Sequence, residues 1–170
     1  IKGGLYTEFQ VHDDAGFMMT HAEGTNSIGA QFFADGSSKP LQAGNSANGQ
    51  IWLDYIAAHN ARDFEKIASM NAEGFRGIAA TGEVVEGSAA HTTFLQNWVA
   101  SENPRWQVWW VIANDGENKD GVMEEWLATG NMVTTTGADG EERKAYETID
   151  VLLEDGQIKL LNVASQIMQQ

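Results

Sequence analysis

Two histidines stand where a helix would bury them. His91 shares the i, i+3, i+4, i+7 spacing of one helix face with Phe94, Leu95 and Trp98, so its imidazole belongs to an apolar stripe. A neutral imidazole near pH 7 suits proton transfer; the alternative is a core histidine with one ring nitrogen satisfied. His59 lies one turn beyond Tyr55 on the stripe of Trp52 and Ile56, and the same two readings apply to it. Glu124 and Trp126, two positions apart in a strand-like run, share a face with Ala128. A Glu buried beside Trp would have a raised pKa and act as acid or base, and Trp126 would wall a pocket for an apolar ligand. The competing picture is a solvated Glu124–Glu125 pair at an edge and an ordinary core Trp. Trp98, His59, Glu124 and Trp126 are thus the expected ligand contacts. His12, Asp13, Asp14 and His21 are metal-ligand types but flank a turn without a recognised metal spacing, so no metal site is expected. No Gly-x-Ser-x-Gly elbow and no nucleotide-binding glycine pattern is present.

These residues need elements to hold them. Trp52, Tyr55, Ile56 and His59 predict a helix over 50–60. Asp63 caps a second, shorter helix with Phe64, Ile67 and Met70 inside, and Ser88 caps a third that runs to about 101, before Asn103-Pro104. Strands are expected over 106–113, 122–129, 132–136, 145–153 and 158–167, with turns at 114–116, 137–140 and 154–156 and Gly130 as a break. Helices followed by an antiparallel meander give an α+β fold with helices on one sheet face. Adjacent Trp109 and Trp110 should point to opposite faces, leaving an outer face that a second copy of the chain would cover.

Upstream, 5–11 and 17–21 read as a hairpin around Asp13-Asp14-Ala15-Gly16, and 36–49 reads as a linker poor in bulky apolar residues. This divides the chain into an arm and linker over 1–47 and a domain over 48–170. Tyr6, Val11 and Gly16 match Tyr146, Val151 and Gly156 at a constant offset of 140. One reading makes the arm the closing hairpin of a preceding, similar domain; the other makes it an unrelated hairpin with generic turn chemistry. The chain opens on Ile1, which leaves room for a preceding segment.

Composition narrows the partners. Asp and Glu outnumber Lys and Arg by 24 to 10, a formal charge of −14, which repels nucleic-acid backbones and anionic membranes. Hydrophobic residues at 42% supply a core. The absence of cysteine removes disulfides and thiolate chemistry and leaves the compartment open, with a soluble, cytoplasmic chain favoured.

The helix–helix–helix–meander order and several local motifs resemble the nuclear transport factor 2-like superfamily, SnoaL-like polyketide cyclases and ketosteroid isomerase included, over about 48–170. Tyr55-Ile56-Ala57-Ala58-His59-Asn60-Ala61-Arg62-Asp63 is similar to the isomerase's first-helix motif, Gly87-Ser88-Ala89-Ala90-His91 to its third-helix start, and Ile149-Asp150 to its Ile-Asp strand. The resemblance implies a cone-shaped, curved antiparallel sheet packed on three helices, a cystatin-like α+β roll with a pocket between them. It also implies that Tyr55 and Asp150 donate hydrogen bonds to an enolate oxyanion, Asp150 being kept protonated by an apolar setting. Three places depart. The isomerase's general base falls on Ala79 and a supporting Tyr on Leu95; the cyclases' catalytic Asp falls in Asn162-Val163-Ala164-Ser165. With no carboxyl at Ala79, His91 becomes the expected proton carrier beside Tyr55 and Asp150. The expected function is a small-molecule pocket domain: a cofactor-independent isomerase, cyclase or lyase acting on an apolar carbonyl compound through an enolate, or a non-catalytic ligand-binding or dimerisation module. The expected partners are a small apolar ligand and a second copy of the chain.

Overall fold

The computed structural model describes residues 27–168. The 5–21 hairpin, the His12–His21 group and the repeated Tyr6, Val11 and Gly16 lie outside the described residues.

Helix α1, Gly49–Ala61, buries Trp52, Tyr55, Ile56, Ala58 and His59, so the stripe read from the sequence is its inner face. It stops at Arg62, whose φ of 63° is left-handed, while the Arg62 guanidinium donates to the His59 carbonyl at 2.9 Å. Asp63 caps α2, Phe64–Met70, by accepting from the Lys66 amide at 2.9 Å. Helix α3, Ser88–Glu102, buries His91 and Leu95. Its cap is Gly87, at φ 85°, rather than Ser88. The Ser88 hydroxyl instead donates to the Ala68 carbonyl and ties α3 to α2.

Among the described residues, eight strands form one mixed sheet in the order β1-β2-β5-β6-β7-β8-β3-β4, and with three helices they make the expected α+β fold. The meander β5 (Arg105–Glu117), β6 (Met123–Thr136), β7 (Glu142–Glu154) and β8 (Gln157–Ile167) is antiparallel. β3, Asn71–Ile78, joins β8 in parallel and pairs with β4, Val84–Glu86, between α2 and α3. β1, Ser27–Phe32, and β2, Ser38–Ala43, precede the helices; Leu41 to Ala43 pair with Gly116 to Asn114. The segment 36–49 therefore holds a strand of the main sheet as well as turns, because Leu41 and its neighbours complete the edge of β5. β5 likewise continues through the expected 114–116 turn, since those residues pair with β2 on one side and β6 on the other.

Gly130 does not break β6. A Cβ there would lie 2.1 Å from Trp110 Nε1, so glycine makes room for the indole to lie across the strand. The register between β5 and β6 slips between Val108 and Trp110, a bulge that leaves Trp109 unpaired. As a result Trp109 and Trp110 share the outer face instead of parting: Trp110 donates to the Tyr146 hydroxyl at 3.0 Å, and the Trp109 ring lies 5.3 Å from the Tyr146 ring. The core sits on the other face, where Leu127, Ile149, Val151, Leu153 and Ile158 meet the helices.

Replacing Asp63 by Ala removes the cap of α2 and should cost about 1 kcal/mol, read as a lower urea midpoint with an unchanged denaturant slope.

Candidate functional site

A cavity of about 1000 Å³ opens between the inner sheet face, α1, α3 and the β3–β4 hairpin. Helical periodicity brings Tyr55 and His59 into it from α1 and His91 and Trp98 from α3; Ala79 and Leu95 also line it. Four expected site residues therefore meet at one hollow.

Asp150 does not join them. Along β7 the residues Glu147, Ile149, Val151 and Leu153 are buried, and the period of two puts Asp150 on the opposite, solvent-facing side. The expected Tyr55–Asp150 pair is thus not formed: Asp150 is exposed, and Tyr55 is only 1% exposed. Glu124 and Trp126 also lie outside the cavity lining. On β6 the buried side chains Leu127, Thr129, Asn131 and Val133 alternate toward the helices, which places Trp126 on the outer face with Ala128 and Gly130. Trp126 and Glu124 do keep company there, the indole donating to the carboxylate at 3.0 Å.

Of the glutamates that line the cavity, Glu83, Glu86 and Glu102 are exposed and Glu147 alone is buried; the sequence motifs did not point to it. It is 6% exposed, and one of its oxygens accepts from Trp106 Nε1 at 3.2 Å. Burial pushes its pKa up from the usual carboxylate range, partly opposed by that hydrogen bond. Its signal was the phase of β7: Glu147 has the same parity as Ile149, Val151 and Leu153. Among the described residues that line the cavity, none is Lys or Arg.

At the helix side, Asn71 organises the polar groups. The Tyr55 hydroxyl donates to Asn71 Oδ1 at 2.9 Å, and Asn71 Nδ2 lies 3.2 Å from Ser88 Oγ and 3.3 Å from His91 Nδ1. The Ser88 hydroxyl donates to the Ala68 carbonyl, so its oxygen accepts from Asn71 Nδ2, which assigns the orientation of the Asn71 amide by hydrogen-bond logic. His91 Nδ1 is then an acceptor, and in the neutral ring its proton sits on Nε2. His59 has the opposite tautomer. Its Nδ1 lies 2.8 Å from the Tyr55 carbonyl, which only accepts, so Nδ1 carries the proton and Nε2 a bare lone pair. Burial lowers His59 from 6.5 to about 4. Burial, with His59 as a second cause, lowers His91 from 6.5 to about 3. Both rings are therefore neutral near pH 7. Tyr55 is held well above its ordinary pKa by burial and stays a phenol.

No family model and no curated protein matches the chain. Solved structures do. A protein from Kribbella flavida described as a ketosteroid isomerase aligns at TM-score 0.57 and 18% identity, over 75% of this chain and 84% of that one. SalBIII, an epoxide hydrolase/cyclase-like enzyme of salinomycin pyran-ring formation, aligns at 0.59 and 19%, over 71% and 91%. An NTF2-like protein from Burkholderia xenovorans aligns at 0.54 and 14%, over 70% and 88%. At such identities the likeness is one of fold.

The two histidines set a pH dependence. An imidazole whose folded pKa lies below its unfolded 6.5 takes up a proton on unfolding, so its contribution is complete above 6.5 and is lost as pH falls toward 4 and 3. Between pH 6 and 5 stability should fall with a slope approaching about 1.4 kcal/mol per pH unit for each histidine, measured by urea unfolding. Glu147 acts in the reverse sense, because acid relieves the cost of its buried charge. A flat profile over that interval would contradict the buried, neutral pair.

Proposed function

We propose, for a chain with the nuclear transport factor 2-like fold, that the cavity receives a largely apolar carbonyl compound and moves a proton on it through an enolate. Such chemistry serves isomerases, cyclases and lyases that work without metal or organic cofactor. The observation that carries the reading is Glu147: a carboxyl buried among apolar walls, with one N–H donor on it, no lysine or arginine among the cavity-lining residues, and its pKa displaced upward. An upward shift brings a carboxyl closer to the operating pH, which improves it as a proton carrier.

His91 fits the second role. With its pKa at about 3 it is a poor base, but its neutral Nε2–H is a hydrogen-bond donor for a developing oxyanion. Tyr55 supports it through Asn71, and Trp98 and His59 contact the ligand. The names of the structural neighbours, an isomerase and an epoxide hydrolase/cyclase-like enzyme, favour the same class at the level of fold. The second reading, a binding module without catalysis, is favoured by Ala79, a methyl on the cavity wall at the position of the resembled isomerase's base.

Deuterium exchange separates the two. The wild-type protein should accelerate incorporation of solvent deuterium next to the carbonyl of 2-tetralone, followed by proton NMR, and Glu147→Gln should reduce that acceleration about 100-fold. Binding of 2-tetralone without any acceleration supports the non-catalytic module; no binding at all contradicts both readings.

A second copy of the chain remains the proposed cover for the outer sheet face. Trp109, at 52% exposure, and Ile112, also 52%, lie there beside Trp110 and Tyr146. Sedimentation should find a dimer for the wild type and a monomer for Trp109→Glu; a wild-type monomer at micromolar concentration contradicts it.

A further inference from the structure

His59 and His91 present unlike nitrogens to the same hollow. Each ring is 6% exposed, each is fixed at Nδ1, and neither Nε2 has a protein partner among the described residues. No side-chain nitrogen or oxygen that is sealed from solvent lacks a partner there, so both Nε2 atoms open onto the cavity that their rings line. The hydrogen-bond network makes one a bare acceptor and the other an N–H donor. The two rings are neighbours, their centroids 5.9 Å apart.

We infer that the pair is a recognition site for a hydroxyl group, and that the ligand bears an alcoholic, phenolic or enolic O–H which donates to His59 Nε2 while its oxygen accepts from His91 Nε2–H. An ether oxygen satisfies His91 alone and leaves the His59 lone pair without a donor; a ketone does the same until it enolises, so the pair holds the enol of a carbonyl compound better than the ketone itself. A carboxylate fails for the same reason and also faces Glu147, with no lysine or arginine among the cavity-lining residues to offset the repulsion. Rings rather than charges surround the pair: Tyr55 lies 4.4 Å and Trp106 5.5 Å from His59, and Phe75 lies 4.7 Å from His91, all by ring centroids. A flat, hydroxylated aromatic or a conjugated enol suits such walls. The inference rests on the reading of the cavity as a ligand site and adds the chemistry of the ligand; the enol is also the protonated form of the enolate proposed above.

The test compares 2-naphthol with 2-methoxynaphthalene, bodies that differ by the donor, in calorimetric titrations of the wild-type chain at pH 7. The expected result is binding of 2-naphthol at least tenfold tighter, with the preference lost in His59→Leu. If that variant does not fold, the ¹⁵N resonance of His59 Nε2 in the wild type replaces it: it should move upfield with 2-naphthol and stay with the methyl ether. Equal affinities, a preference kept in His59→Leu, or an unmoved resonance overturns the inference while the cavity reading stands. Failure of both compounds to bind overturns the two together.

Discussion

One amide sets the chemistry of the cavity. Asn71 has an oxygen and two N–H bonds, and the contacts around it agree on one assignment: Tyr55 gives to the oxygen, and Ser88, whose hydroxyl donates to the Ala68 carbonyl, receives from the nitrogen. The remaining N–H falls to His91, and the tautomer of a histidine on α3 is thereby decided by a residue at the start of β3. His59 is decided independently by the Tyr55 carbonyl on its own helix. Burial completes the arrangement by keeping both rings uncharged, so that each exposes one defined nitrogen. A buried polar network of this sort is stabilising only when every member is satisfied, and among the described residues no sealed side-chain polar atom lacks a partner.

The opposite wall follows from the strict alternation of a strand. Because Ile149, Val151 and Leu153 must face the helices, Glu147 enters the cavity and Asp150 leaves it. The same constraint sends Trp126 outward from β6. One bulge resets the phase of β5, so that Trp106 remains inside to hold Glu147 while, on the far face, Trp110 lies over Gly130 and Trp109 beside Tyr146. The site and the outer aromatic patch are thus two consequences of one strand register.

Much of this was legible beforehand. The stripes of α1 and α3 named Tyr55, His59, His91 and Trp98, and Asp63 announced its own helix, because periodicity and capping are local signals. β3 was not legible: Gly74, Gly77, Glu73 and Arg76 dilute its pattern, and it is held by parallel pairing to β8, some eighty residues away. Without β3 there is no Asn71, and without Asn71 the histidines have no fixed tautomers. β2 was hidden in the same way by its Lys-Pro and Gln residues, since its pairing with β5 is tertiary. Gly130 reads as a break in one dimension and as a cradle for an indole in three. Asp150 was misplaced by motif likeness, although its parity against Ile149 and Val151 already pointed outward.

The central claim is that two neutral histidines offer one donor and one acceptor to a single cavity. Side-chain ¹⁵N NMR of the free protein at pH 7 tests it most directly. The account predicts a protonated Nε2 on His91 and a protonated Nδ1 on His59. The same tautomer on both rings, or an imidazolium at either, would contradict it.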